Sequence, residues 1–177
     1  ETVARVGCVT VGCLLDLQEE ASRRVIPKDI LERQSLPAPA GIALPRASGI
    51  SFPSDGLAES CTVGFINAPH DSDGVIRHAY ALLEYEGRLY PSLAFAAALA
   101  YDGVAIGEVR VTASRTIEYD APRTGPVVLH LDPEGRLRPD YRGSLDALSP
   151  RSVSGFLTTF EEHGVDGLAE YRDAIVV

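Results

Sequence analysis

From Pro91 to Gly103 the chain reads P-S-L-A-F-A-A-A-L-A-Y-D-G, and this segment limits the fold more than any other. Proline suits the first helical position, where its missing N–H would have no partner in any case. Glycine suits the residue just past a helix end. The body between them, L-A-F-A-A-A-L-A, is apolar on every side. A helix of that kind is buried, because a surface helix keeps a polar face. The segment therefore predicts a helix from Pro91 through Tyr101, enclosed by other layers, with alanines that let neighbouring backbones approach closely. Its ten apolar-dominated residues are about half of the roughly 18–20 that a membrane span requires.

The remaining segments alternate between strand and helix patterns. Val3–Leu15, rich in Val, Cys and Leu, reads as a buried strand. Pro27–Gln34 reads as a short helix, and the proline-rich stretch from Pro37 to Pro53 reads as a loop, since proline gives a ladder no donor. Val63–Asn67 and Val75–Tyr85 read as strands joined through A-P-H-D-S-D-G, where Asp-Gly is a hairpin signal. Glu86-Gly87 turns the chain toward Arg88-Leu89-Tyr90. Val109–Tyr119 predicts one long strand and Pro126–Leu131 a compact apolar one, followed by a turn at Asp132-Pro133-Glu134-Gly135. Ser152–Glu162 predicts an amphipathic helix with Val153, Phe156, Leu157 and Phe160 on one stripe, capped by Ser152. Ala174–Val177 predicts a closing strand. Together these imply an α/β domain, or a mixed α+β arrangement, with a central sheet flanked by helices in a single layered domain over 1–177.

Composition narrows the function classes. The 177 residues are 45% hydrophobic and 23% charged, a globular balance. The net charge of -9 disfavours nucleic acid and anionic lipid as partners. The three cysteines, Cys8, Cys13 and Cys61, leave at least one unpaired and read as buried, inert thiols. On one strand, Cys8 and Cys13 would point to opposite faces, which is poor geometry for a disulfide. With no initiator methionine and a tail of A-I-V-V, the sequence reads as an excised piece of a longer protein.

The search for reactive groups is mostly negative. His70, Asp71 and Asp73 form the densest polar cluster. As a calcium loop it fails, because position twelve from Asp71 is Leu82 and not Glu. A turn is the better reading. Arg77 is placed either to bind an anionic ligand or to tie back to Asp71 and Asp73 across that turn, and the structural role is preferred. No G-x-S-x-G elbow, phosphate-binding loop or C-x-x-C pair is present. His130 lies in an apolar strand and reads as a core histidine, and His163 sits before Gly164 at a helix end. Glu19-Glu20 and Glu161-Glu162 read as solvated helix faces. No catalytic residue, metal or cofactor is expected.

One block carries a family signature. Gly64 to Ala100, G-F-I-N-A-P-H-D-S-D-G-V-I-R-H-A-Y-A-L-L-E-Y-E-G-R-L-Y-P-S-L-A-F-A-A-A-L-A, resembles the CHASE2 sensor domain. Matching positions are Gly64, Asn67, Asp71, Asp73, Gly74, Arg77, Pro91, Ser92, Leu93 and Ala94. P-D-Y-R-G-S, with Tyr141 and Gly143, resembles the family's later strand, S-V-S-G-F-L its Ser-led helix and Y-R-D-A-I-V-V its closing strand. The resemblance is clearest over residues 55 to 177. It implies an extracytoplasmic signal-input domain, anchored by membrane segments and joined to an intracellular cyclase or kinase. The expected partner is a small molecule or protein signal, and homodimerisation follows from the dimeric action usual for such outputs. The ligand-binding residues are not identified by the resemblance, and the motif residues are read as structural. The competing readings are a non-catalytic interaction module and a hydrolase built on His70, Asp71 and Asp73.

Overall fold

The computed structural model describes residues 9–17, 27–141, 143 and 153–171. The chain divides into two compact units, Glu1–Pro139 and Asp140–Val177. Its mixed α/β character is as expected. Among the described residues of the first unit the strands form four small sheets, where a central one was anticipated.

The order along the first unit is β1 (Thr10–Asp16), α1 (Lys28–Arg33), β2 (Leu36–Pro37), β3 (Gly49–Ser51), α2 (Asp55–Ser60), β4 (Thr62–Phe65), β5 (Ala79–Tyr80), β6 (Leu82–Tyr85), β7 (Arg88–Pro91), α3 (Leu93–Asp102), β8 (Arg110–Val111), β9 (Thr116–Ala121), β10 (Gly125–His130) and β11 (Arg136–Leu137). β1 runs parallel to β4 and antiparallel to β3, giving the order β3-β1-β4. The other sheets are β2-β7-β6, β10-β9-β8 and the pair β11-β5. A single bridge from Phe65 to Ser92 links β4 to the end of β7.

The sheet β2-β7-β6 is wetted on neither side. Strand side chains alternate between faces, so Leu82 and Leu89 enter one core with Phe95, Leu99, Ile117 and Tyr119. Leu83, Tyr85 and Tyr90 enter a second with Leu15, Ile30, Ile50, Val63 and Phe65. This explains why all four residues of β6 are buried. It also explains why the strand lacks the apolar–polar alternation that a one-sided strand would show. Glu84 is the polar exception, and its Oε2 accepts a 3.0 Å hydrogen bond from Arg46 Nε.

α3 rests on β4 through a close backbone approach. A Cβ added to Gly64 would lie 2.5 Å from Leu93 Cα and 2.7 Å from Leu93 N, so no larger residue fits there. Ser92 caps the helix by accepting a bond from the Phe95 amide at 3.2 Å. Gly103 ends it at φ 72°, with its N–H on the Leu99 and Ala100 carbonyls. Asn67 extends the parallel ladder past the end of β4. Its Oδ1 accepts from Leu15 N at 2.9 Å and its Nδ2 donates to Leu15 O at 2.6 Å, so one side chain replaces a backbone amide.

Several expectations are corrected. Pro91 is the last residue of β7, paired with Leu82, and the helix begins two residues later. The helix is not enclosed all round: Phe95, Ala96 and Leu99 are buried, whereas Ala94, Ala100 and Tyr101 are exposed. Alanine exposes so little apolar area that such a face is tolerated in water. The proline-rich loop contains β2 and β3, with Pro37 paired at a sheet edge to Arg88. α2 had no signal beyond a serine before it. Val75–Tyr85 is regular only from Ala79, and Val109–Tyr119 is broken by a turn at Thr112–Arg115. β10 is an edge strand, so His130 is exposed, not a core residue, and Val128 is 51% exposed. The turn at Asp132 forms as read, with Gly135 N donating to Asp132 O at 2.9 Å.

In the second unit, α4 (Val153–His163) runs into a 3₁₀ segment over Gly164–Tyr171, so His163 does lie at a helix end. The residues before α4, Arg138–Tyr141, have no regular secondary structure, unlike the strand anticipated at Tyr141 and Gly143. The expected strand at Ala174–Val177, the Ser152 cap, Glu19-Glu20 and Cys8 lie outside the described residues.

The Gly64 contact gives a sharp stability prediction. Gly64→Ala forces Cβ into backbone that cannot yield without moving α3, and is expected to destabilise by about 3 kcal/mol. Gly56→Ala in α2 meets nothing within 4 Å and is expected to be neutral or slightly stabilising. Urea denaturation midpoints of the two variants compare them directly.

Candidate functional site

The first unit carries a cleft of about 310 Å³, at the small end of the range in which proteins hold small molecules. Three short segments build it. The end of α1 supplies Arg33 and Gln34, and the end of α2 supplies Glu59, Ser60 and Cys61. α3 supplies the buried Ala96 and Leu99 and the exposed Ala100, continued by the turn through Val104 and Ile106. The floor is apolar and the rim polar.

Gln34 fixes this geometry. It is 6% exposed, and its Nε2 donates to Cys61 O at 2.7 Å and to Ala58 O at 3.3 Å. Its Oε1 accepts from Val63 N at 2.9 Å. One amide thus ties α1 to the end of α2 and to the start of β4. Arg33 Nη2 donates to Ala58 O at 3.3 Å, from the same side. Arg88 secures the other flank of α1, with Nε on Ser35 Oγ at 2.7 Å and Nη2 on the Glu32 and Ser35 carbonyls. A cation at a helix carboxyl end also complements the helix dipole.

The residues singled out by sequence lie elsewhere. Asp71, Asp73 and Arg77 form a stapled bend. Arg77 Nη1 is 2.9 Å from both Asp71 Oδ2 and Asp73 Oδ1, and its Nη2 is 2.8 Å from Asp73 Oδ2. Gly74 N donates to Asp71 O at 2.8 Å, and Asp73 Oδ1 accepts from Val75 N at 3.1 Å. The bend is not a hairpin, because β4 pairs with β1 while β5 pairs with β11. His70 is exposed and makes no part of the staple, so the His70/Asp71/Asp73 hydrolase arrangement does not assemble. His78 is the histidine near the bend, with Nδ1 3.6 Å from Asp71 Oδ1. Among the described residues no group of His, Cys, Asp and Glu is placed to hold a metal ion. Hydrogen bonds from Arg77 hold Asp71 and Asp73 below the ordinary carboxylate range, aided by His78 at Asp71 and by the Val75 amide at Asp73.

Gly64, Asn67, Pro91 and Ser92 converge on the junction of β4, β7 and α3, away from the bend. Cys13 and Cys61 are free and buried, and burial pushes the Cys13 thiol up to about 12, so it stays protonated and inert. The cleft residues were missed by sequence reasoning. Arg33, Gln34 and Glu59 belong to no local motif, and only the fold brings them together.

Two variants test these arrangements. Gln34→Ala removes the side-chain partner of the buried Val63 N–H and of the Cys61 carbonyl, leaving Ala58 O only its bond from Arg33, and is expected to cost about 2–4 kcal/mol in urea unfolding. The second concerns acid. Asp71 and Asp73 are depressed in the folded chain, so their stabilisation is present above the unfolded carboxylate range near about pH 4. It is lost as pH falls through the lower folded values. Arg77→Gln should therefore lower the melting temperature at neutral pH, with the gap to the parent chain closing as pH drops from about 4 to about 2.

Comparison with curated proteins and with solved structures returns no match. The family model of the CHASE2 domain matches residues 13–177, reaching back through α2, β3 and the proline-rich stretch to β1. CHASE2 domains are extracellular sensory domains and not catalytic ones. Among the described residues no helix is long and apolar enough to cross a membrane. The match spans nearly the whole chain, and the chain belongs to the CHASE2 domain family.

Proposed function

We propose that this chain is the extracytoplasmic input module of a bacterial membrane receptor, acting as one sensory unit over residues 1–177 and controlling an intracellular cyclase or kinase. The observation that carries this reading is the family match over residues 13–177. The cleft between α1, α2 and α3 supports it, because a sensor of small molecules needs a concave site with an apolar floor and a few placed polar groups. The side chains of the Asp71 bend support it from the other direction. Their charges are spent on each other, as befits a framework part. Gly64, Asn67, Asp71, Asp73, Gly74, Arg77, Pro91 and Ser92, with Tyr141 and Gly143, are read as scaffold and not as ligand contacts.

Signalling by such a module is a shift between two conformations. The stimulus acts only through a difference in its affinity for them. The receptor is expected to work as a homodimer in the cell membrane. In the full-length parent, in-frame removal of this domain is expected to abolish regulation of the output, read as cyclase or kinase activity in membrane vesicles. Regulation unchanged by the deletion would reject the sensory reading. Cleavage of the domain by protease added to intact spheroplasts is the expected topology result.

A further inference from the structure

We propose that the cleft receives an apolar zwitterion, namely an α-amino acid with a branched aliphatic side chain. The proposal rests on the sensory reading above and adds the chemistry of the ligand. It starts from two charges. Among the described residues lining the cleft, only Arg33 and Glu59 are charged. The guanidinium of Arg33 is anchored by its Nη2 to the carbonyl of Ala58, the residue next to Glu59. Opposite charges therefore stand on one rim, yet Arg33 and Glu59 form no ion pair with each other. Among the described residues the Glu59 side chain makes no hydrogen bond or ion pair, and the Arg33 side chain makes only its bond to Ala58.

Below that rim the cleft is apolar, floored by Ala96, Leu99, Val104 and Ile106. Gln34, the one buried polar side chain in the wall, has its oxygen and its amide nitrogen bonded to backbone, so it steers the ligand by shape and not by donation. A simple carboxylate would gain Arg33 but face Glu59 in a chain of net charge -9. A simple amine would meet the reverse on Arg33. A molecule carrying both charges on one carbon satisfies both, and its side chain takes the floor. The volume of about 310 Å³ accommodates a compact molecule whose side chain lies on the floor.

The test uses the 177-residue chain and four probes: L-leucine, 4-methylpentanoate (no ammonium), isopentylamine (no carboxylate) and glycine (no side chain). Calorimetry is expected to give saturable binding of leucine, with each partial probe weaker by about tenfold or more. Glu59→Gln, at an exposed position, should weaken leucine by about tenfold while leaving 4-methylpentanoate unchanged or improved. Ala100→Phe adds bulk on the exposed side of α3, and should abolish leucine binding with the unliganded melting temperature preserved. The proposal is overturned if leucine shows no saturable binding. Equal affinity for leucine and the two single-charge probes would overturn it too, as would leucine binding that survives Ala100→Phe. Any of these leaves the sensory reading intact if deleting the domain still uncouples the parent receptor, so the two failures are told apart.

Discussion

Everything in the first unit is referred to one contact, the seating of the first turn of α3 on β4 at Gly64. Leu93 Cα and N occupy the space that a side chain would need, and the Phe65–Ser92 bridge crosses at the same place. Because β4 is paired in parallel with β1, fixing α3 on β4 also fixes it against the β3-β1-β4 sheet. Because β7 runs directly into Ser92, the same contact positions β2-β7-β6. Two sheets and a helix therefore share one junction, and Asn67 closes it by continuing the β1–β4 ladder with its side-chain amide. The parallel pair β1–β4 is covered by α3, and the close approach at Gly64 depends on the absence of a side chain there.

From that junction the two cores follow. β6 and β7 divide the interior, with Leu82 and Leu89 on one side and Leu83 and Tyr90 on the other. A strand pair buried on both faces is mostly apolar, and its one buried charge, Glu84, is paired with Arg46. The pair β5–β11 is held in turn by two acid-stapled bends. Asp71 and Asp73 with Arg77 lead into β5, and Asp132 with Arg136 leads into β11. At the second bend Asp132 Oδ1 accepts from the amides of Glu134 and Arg136, and Arg136 Nε reaches Asp132 Oδ2 at 2.8 Å. Burial opposes the ionised form of Asp132, and the bonds from Arg136 outweigh it to hold the carboxyl low. The same device, an aspartate that closes a turn and then binds the next arginine, is used twice to start one two-stranded sheet.

What could be read from sequence was what neighbours decide. The helix stop at Gly103, the turns at Glu86-Gly87 and Asp132–Gly135, and the charge bend at Asp71 are each set within a few residues; the Ser92 cap was not read, because Pro91 was placed in the helix and not in the strand before it. What could not be read was set by distant chain. β2 exists because Arg88 offers an edge to Pro37. The gap between β8 and β9 exists because Thr112 and Thr116 bond each other across it at 2.6 Å. His130 is exposed because β10 lies at a sheet edge, which an apolar pattern alone does not reveal. The candidate site was the least legible part. Arg33, Gln34 and Glu59 look like ordinary residues at the ends of short helices until Gln34 draws α1, α2 and β4 together.

The placement of the cleft bears on how a stimulus could be transmitted. Its floor is shared by α3 and the turn through Val104 and Ile106, and α3 is fixed by Gly64 and the Ser92 cap at one end and stopped by Gly103 at the other. Its opposite wall belongs to α1 and α2, six residues each. Such helices are too short to be stable alone, and they are held by side-chain bonds from Gln34, Arg33 and Arg88. A rigid floor facing a wall of tethered short helices is an asymmetric site. A molecule that binds both sides adds to the tethers, and it favours whichever arrangement of α1 and α2 lets it touch both. That preference is the differential affinity a population shift requires. α1 follows β1 in sequence, and β1 is the strand that β4 registers against, so the wall helices and the frame that carries α3 meet at a single sheet.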